Sequence, residues 1–162
     1  MRDYEECRPY INHLLAEHRR LHGMLARARA AVRQMNGPDR DATLTDVART
    51  LEQVRAELAQ HFVEEEQGGC LEEAVSRCPR LADDARRIQS EHSQLLAELD
   101  RLIAESKDGP ENMAARIAVE RDFDDVCTQL HAHEAAENAL LRDAFGASFN
   151  GDDYKEIPVL DF

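Results

Sequence analysis

Four histidines and two glutamates recur in this chain as one pattern written twice. His18 is followed 43 residues later by His61-Phe-Val-Glu-Glu65, and His92 is followed 41 residues later by His133-Glu-Ala-Ala-Glu137. Each single histidine also follows a glutamate, in Glu17-His18 and Glu91-His92. Imidazole with carboxylate is the ligand set of a non-haem transition-metal site, and two such units could serve two ions at once. The spacing suits this use, because residues four apart on a helix share a face. One His-x3-Glu unit can bind one ion through its histidine while its glutamate reaches toward the second.

Helices must carry these residues, and composition supplies them. The 162-residue chain has no tryptophan, 5% aromatic residues, seven glycines and five prolines, with Ala, Leu, Glu and Arg dominant. That usage favours long helices over sheet. Its length suits one domain with a buried core. The net charge of -13 argues against nucleic acid and against an anionic membrane, both of which need a basic surface. No stretch approaches the roughly 18 apolar residues that mark a spanning helix. The opening residues lack the apolar centre of a secretory signal, and four cysteines do not make a disulfide scaffold, so a cytoplasmic setting is expected.

Punctuation divides the chain into four long segments. Pro9 can open a first helix, which stops at Asn36-Gly37-Pro38. A second runs from the capping region Asp41-Ala-Thr43 to Gly68-Gly69. Residues 70–79 form a connection with room for a short helical turn. A third helix spans Arg80 to Lys107, and a fourth follows Pro110 and ends near Gly146. Residues 1–146 then make one bundle domain, and residues 147–162 a tail whose apolar side chains pack across the bundle or serve a partner.

Each segment carries an apolar seam at spacings of three and four, and all six candidate ligands sit on the seams. Four imidazoles and two carboxylates in one core, without partners, would cost several kcal/mol per ionised group. Bound cations remove that penalty. In an up-down-up-down bundle, two residues share a level when their midpoint falls at the turn between them. The midpoint of His18 and His61 lies just past Gly37-Pro38, that of His61 and His92 inside the 70–79 connection, and that of His92 and His133 just past Gly109-Pro110. The expected fold is therefore an all-α, antiparallel up-down-up-down four-helix bundle with its histidines in one layer.

Over roughly residues 10–146 the chain resembles the hemerythrin-like family of HHE cation-binding domains, on Glu17-His18, His61-x3-Glu65, Glu91-His92 and His133-x3-Glu137. The resemblance implies a bundle enclosing two iron ions with an oxo or hydroxo bridge. His18, His61, His92 and His133 would be terminal imidazoles, and Glu65 and Glu137 bridging carboxylates. The oxygen-carrying members have a His-x3-His on the third helix, where this chain has Leu96, and close the site with His-x4-Asp in place of His133-x3-Glu137. The chain looks more like the iron-repair and iron-sensing members. Fewer imidazoles leave open positions, which points away from reversible oxygen carriage. Binding of, and reaction with, O2, H2O2 or NO is implied, with peroxidase- or catalase-like turnover as the enzymatic form. The alternative is an iron store, donor or sensor without turnover.

Other residues are assigned smaller roles. His22, four residues after His18, could add a fifth imidazole, but one step off the seam it also suits a hydrogen-bonded flank position. His13 and His131 lie off the seam. Glu17 and Glu91 could accept the free N–H of a ligand histidine on the adjacent helix, or simply face solvent. Glu64, Glu66 and Glu134 are expected to be solvated, lining an access path for cations. Phe62 or Phe123, with the seam leucines, would keep the site dry. Cys70 and Cys78 could form a redox-sensitive pair near Cys7 or hand over iron, or be small buried apolar residues like Cys127.

Overall fold

The computed structural model describes residues 4–39 and 42–146; the 147–162 tail lies outside them. Five α-helices occur among the described residues: α1 (Tyr4–Met35), α2 (Leu44–Gly68), α3 (Cys70–Arg77), α4 (Ala82–Asp108) and α5 (Met113–Phe145). No strand is present among them, and none of these helices is long and apolar enough to cross a membrane. The four long helices form a ring of neighbours. α1 packs on α2 and α5, and α4 packs on the same two.

Helix boundaries follow local chemistry. At the start of α2, Thr43 Oγ1 accepts from Asp46 N at 3.2 Å, and Asp46 Oδ2 accepts from Thr43 N at 2.9 Å. This reciprocal capping box occupies backbone donors that a helix start leaves unpaired. Asn112 caps α5 by accepting from Ala115 N at 2.9 Å. Gly69 adopts φ +68° between α2 and α3, and Gly146 adopts φ +63° after α5, a region that disfavours other residues. Two boundaries differ from expectation. Pro9 lies inside α1 and does not open it, because the helix already begins at Tyr4. The 70–79 connection holds a two-turn helix, α3, longer than the short turn expected, followed by a 3-10 turn over Pro79–Leu81, so α4 starts at Ala82, close to the expected start near Arg80. Leu71 and Ala74 explain this: both are buried, so α3 gains from docking an apolar face.

The apolar core is in two parts. One cluster gathers Leu21, Leu25, Leu51, Leu58, Phe62, Leu95, Leu99, Phe123 and Leu130. The other gathers Ile11, Leu14, Leu71, Ile88, Leu140 and Leu141, with Cys7 and Cys70. Each long helix crosses from one cluster to the other at a candidate ligand: after Leu15 at His18, between Phe62 and Cys70 at Glu65, between Ile88 and Leu95 at His92, and between Leu130 and Leu140 at His133 and Glu137. Sequential helices make the crossing in alternating directions. Cys7 and Cys70 share the second cluster, with Cys78 packed against it.

Gly68 permits one contact that anchors α2. The Tyr10 ring lies where a Cβ at position 68 would come within 1.9 Å of it. From there the Tyr10 hydroxyl donates to the carbonyls of Glu64 and Glu65, at 2.8 and 3.2 Å. Carbonyls in the last helical turn lack partners of their own, so this bond locks the backbone that bears Glu65. Gly68→Ala is therefore expected to displace Tyr10 and destabilise the fold by about 1–3 kcal/mol, the usual range for overpacking. A denaturant titration against Tyr10→Phe, which keeps the ring, separates the steric loss from the hydrogen bond.

Candidate metal centre

All six seam residues are buried between the two apolar clusters. His18 is fully enclosed, and Glu65 and Glu137 are 4% and 1% exposed. Glu65 stands at the centre. Its Oε1 lies 2.6 Å from His61 Nε2 and 3.3 Å from His18 Nε2. Its Oε2 lies 3.2 Å from His92 Nε2. One carboxylate thus faces histidines from three helices, with its two oxygens turned to different ones. Two triads of potential metal ligands share it: His18, His61 and Glu65, and Glu65, His92 and His133. Glu137 completes neither triad, but its Oε2 is 3.5 Å from His18 Nε2.

The rings are held from behind. His92 Nδ1 is 2.9 Å from Glu66 Oε1, and His133 Nδ1 is 2.9 Å from Glu91 Oε2. A carboxylate at Nδ1 places the ring hydrogen there and leaves the Nε2 lone pair facing inward, the usual outer support of a metal-bound histidine. Phe62 stacks on His92 with centroids 4.0 Å apart and planes 7° from parallel, and meets His133 edge-on at 5.5 Å. Phe123 is fully buried in the first apolar cluster. Between α4 and α5, a cavity of about 250 Å³ has His133, Glu91, Gln129 and Ala132 in its wall.

Several inward atoms have no hydrogen-bond partner: Glu65 Oε2, Glu137 Oε2, His92 Nε2 and His133 Nε2. His92 Nε2 and Glu65 Oε2 are close in distance yet not aligned as donor and acceptor. Each buried atom left in this way costs about 1–3 kcal/mol, so four together are a large penalty for a structural core. Unpartnered carboxylate and imidazole atoms turned to one buried volume are what a cation requires. The residues therefore fit a metal site.

Proton affinities agree. Burial raises the Glu65 carboxyl, but His18, His61 and His92 outweigh it and hold the group well below the usual carboxylate range. Burial first, then the neighbouring charge of Glu65, pushes Glu137 well above that range. For His92, Glu65 and Glu66 overcome burial and raise the imidazole; for His133, burial dominates and lowers it. The two carboxyls are thus pushed in opposite directions by one shared environment.

The smaller expectations divide. Glu91 takes the expected role behind a histidine of the next helix. Glu17 instead pairs with Arg20. Glu66 is exposed as expected, yet its carboxylate orients His92, a role the reading of the residues missed. Glu134 is not solvated: it is 2% exposed and pairs with His22. His22 therefore has the flank hydrogen bond, and His131, set aside as off the seam, stacks edge-on to it at 4.7 Å. His13 is exposed beside Glu64. The available signal for the second group was the three-residue step from His131 to Glu134, which places both on one face of α5.

If the triads hold metal, Glu91→Ala and Glu66→Ala are each expected to weaken metal affinity about 10–100-fold, the range for such outer partners. Glu17→Ala, which removes only an Arg20 contact, is expected to leave it unchanged. Competition with a chromophoric chelator measures all three.

Comparison with known proteins supports this geometry from another direction. The family model of the hemerythrin HHE cation-binding domain matches residues 10–145. No curated protein and no solved structure gives a match. The matched span covers α1 from its second turn through the last residue of α5, and so includes both triads and every carboxylate behind them. The chain belongs to the hemerythrin HHE cation-binding domain family.

Proposed function

We propose that this protein is a di-iron member of its family that binds, and reacts with, a small oxidant or diatomic molecule: O2, H2O2 or NO. In this reading the long helices form an antiparallel four-helix bundle, supported by their alternating passage between the two core clusters. His18 and His61 would hold one ion and His92 and His133 the other, with Glu65 and Glu137 as the carboxylates available to both. The observation that carries this is Glu65, shared by both triads with its two oxygens turned to different histidines. Histidine with carboxylate suits iron, and the family supports a metal cation. The proposed setting is the cytoplasm.

Two ferrous ions with open positions can supply electrons to a small oxidant. The chain's own part is to place and protect. Glu66 and Glu91 fix the ring hydrogens on Nδ1 of His92 and His133, and Phe62 packs against both rings. The cavity beside His133, about 250 Å³, has room for a diatomic molecule or peroxide.

A second reading, an iron store, donor or sensor without turnover, has its own support. The ligand layer divides the apolar core, so loss of metal leaves uncompensated polar groups between its two halves. In that case chelation strongly lowers the thermal midpoint, and the iron-loaded protein leaves peroxide unconsumed.

Two measurements test the proposal. Protein loaded with iron is expected to hold about two ions per chain, with near-ultraviolet charge-transfer bands, and to consume added H2O2. Glu65→Ala and Glu137→Ala are expected to lose most of that iron, while Glu64→Ala keeps it; equal iron in all three removes the assignment. Ala132→Phe, which fills the cavity, is expected to keep the iron but slow the reaction with H2O2 at least about tenfold, a change of roughly 1.4 kcal/mol in the barrier.

A further inference from the structure

The cluster of His22, His131 and Glu134 lies outside both triads. It is built from α1 and α5, with His22 one helical turn, about 6 Å, beyond His18. One ligand atom from each of the three residues comes within 4.8 Å of the others. Glu134 is 2% exposed and His22 9% exposed, while His131 is only half-buried, so the group opens to solvent on one side.

Its hydrogen bonding is incomplete. His22 Nε2 contacts Glu134 Oε2 directly. The remaining polar atoms of that pair, His22 Nδ1 and Glu134 Oε1, are buried without a hydrogen-bond partner. A structural His–Glu pair in a core normally has its other atoms satisfied, since each unmet one costs about 1–3 kcal/mol. Here a second imidazole stands edge-on beside the first, with ring centroids 4.7 Å apart, and adds another nitrogen to the same small volume.

We propose that His22, His131 and Glu134 form a separate mononuclear site for a divalent first-row transition cation. Two imidazoles and one carboxylate with an open side match the ligand set of such ions, with water in the remaining positions. Ligand atoms around a tetrahedral ion stand about 3.3 Å apart when each bond is near 2.0 Å, so the ion replaces the His22–Glu134 hydrogen bond and spreads the pair slightly. His131 leaves this site half-open on the α1–α5 side, where a cation in solution reaches it. The net charge of -13 favours cations over anions around the chain as a whole.

The site does not require iron in the triads, and its test keeps the two questions apart. Co2+ bound per chain is measured by equilibrium dialysis, with helical circular dichroism confirming the fold of each variant. His131→Gln and Glu134→Gln are each expected to bind about one Co2+ fewer than the parent chain. In a chain carrying Glu65→Gln with Glu137→Gln, about one Co2+ is expected to remain, and adding His131→Gln removes it. Unchanged stoichiometry in both His131→Gln and Glu134→Gln overturns the site. So does a loss seen with His22→Gln alone, because His22 then belongs to the triads. A parent chain binding one Co2+, lost with His131→Gln but kept without Glu65 and Glu137, upholds this site and refutes the di-metal reading.

Discussion

The carboxylate of Glu65 sets the terms for the rest of the molecule. A desolvated negative charge in an apolar core is tolerated only with compensating positive charge or donated hydrogens close by. Here His61 on α2 and His18 on α1 supply it at Oε1, at 2.6 and 3.3 Å, while His92 on α4 lies 3.2 Å from Oε2. Three helices must therefore meet at one level, and α5 must bring His133 and Glu137 to the same level. The backbone at Glu65 is held in turn by the Tyr10 hydroxyl, which reaches it only because residue 68 lacks a side chain. Position, charge and register are thus one constraint.

That constraint explains why the core is split. A continuous apolar seam would bury more hydrocarbon and make a more stable bundle. This chain interrupts each seam at the same layer, leaving leucine-rich packing above and below. Interruptions that coincide on four helices cost apolar burial at that layer and gather its imidazoles and carboxylates into one volume. Binding and folding are then linked: a cation that binds only the assembled layer adds its binding free energy to the fold. Both proposed functions, reaction at the centre and iron sensing, draw on the same linkage.

Carboxylates outside the layer do quieter work. Glu66 and Glu91 sit near solvent, where an ionised carboxylate costs little, and extend its polarity inward through one ring each. The imidazole transmits orientation without moving a charge into the core. Glu134 is placed differently: it is buried, turned to His22, and belongs to a polar group of its own on the α1–α5 side.

The amino-acid sequence by itself determined the helical class, the punctuation near residues 37, 69, 109 and 146, and the layer that His18, His61, His92 and His133 share. Those features depend on period, turn chemistry and chain distance, all local or additive along a helix. Thr43, Gly69 and Gly146 act where they were expected to, because caps and left-handed positions are local decisions. The sequence could not place residues one step off a seam, since their burial depends on how closely neighbouring helices approach. Tertiary packing alone therefore decided that Glu134 is buried with His22 and His131, that Glu66 supports His92, and that Glu17 turns to Arg20. It also decided that Glu65, more than Glu137, joins the two triads, because which oxygen faces which ring is settled by side-chain orientation across three helices.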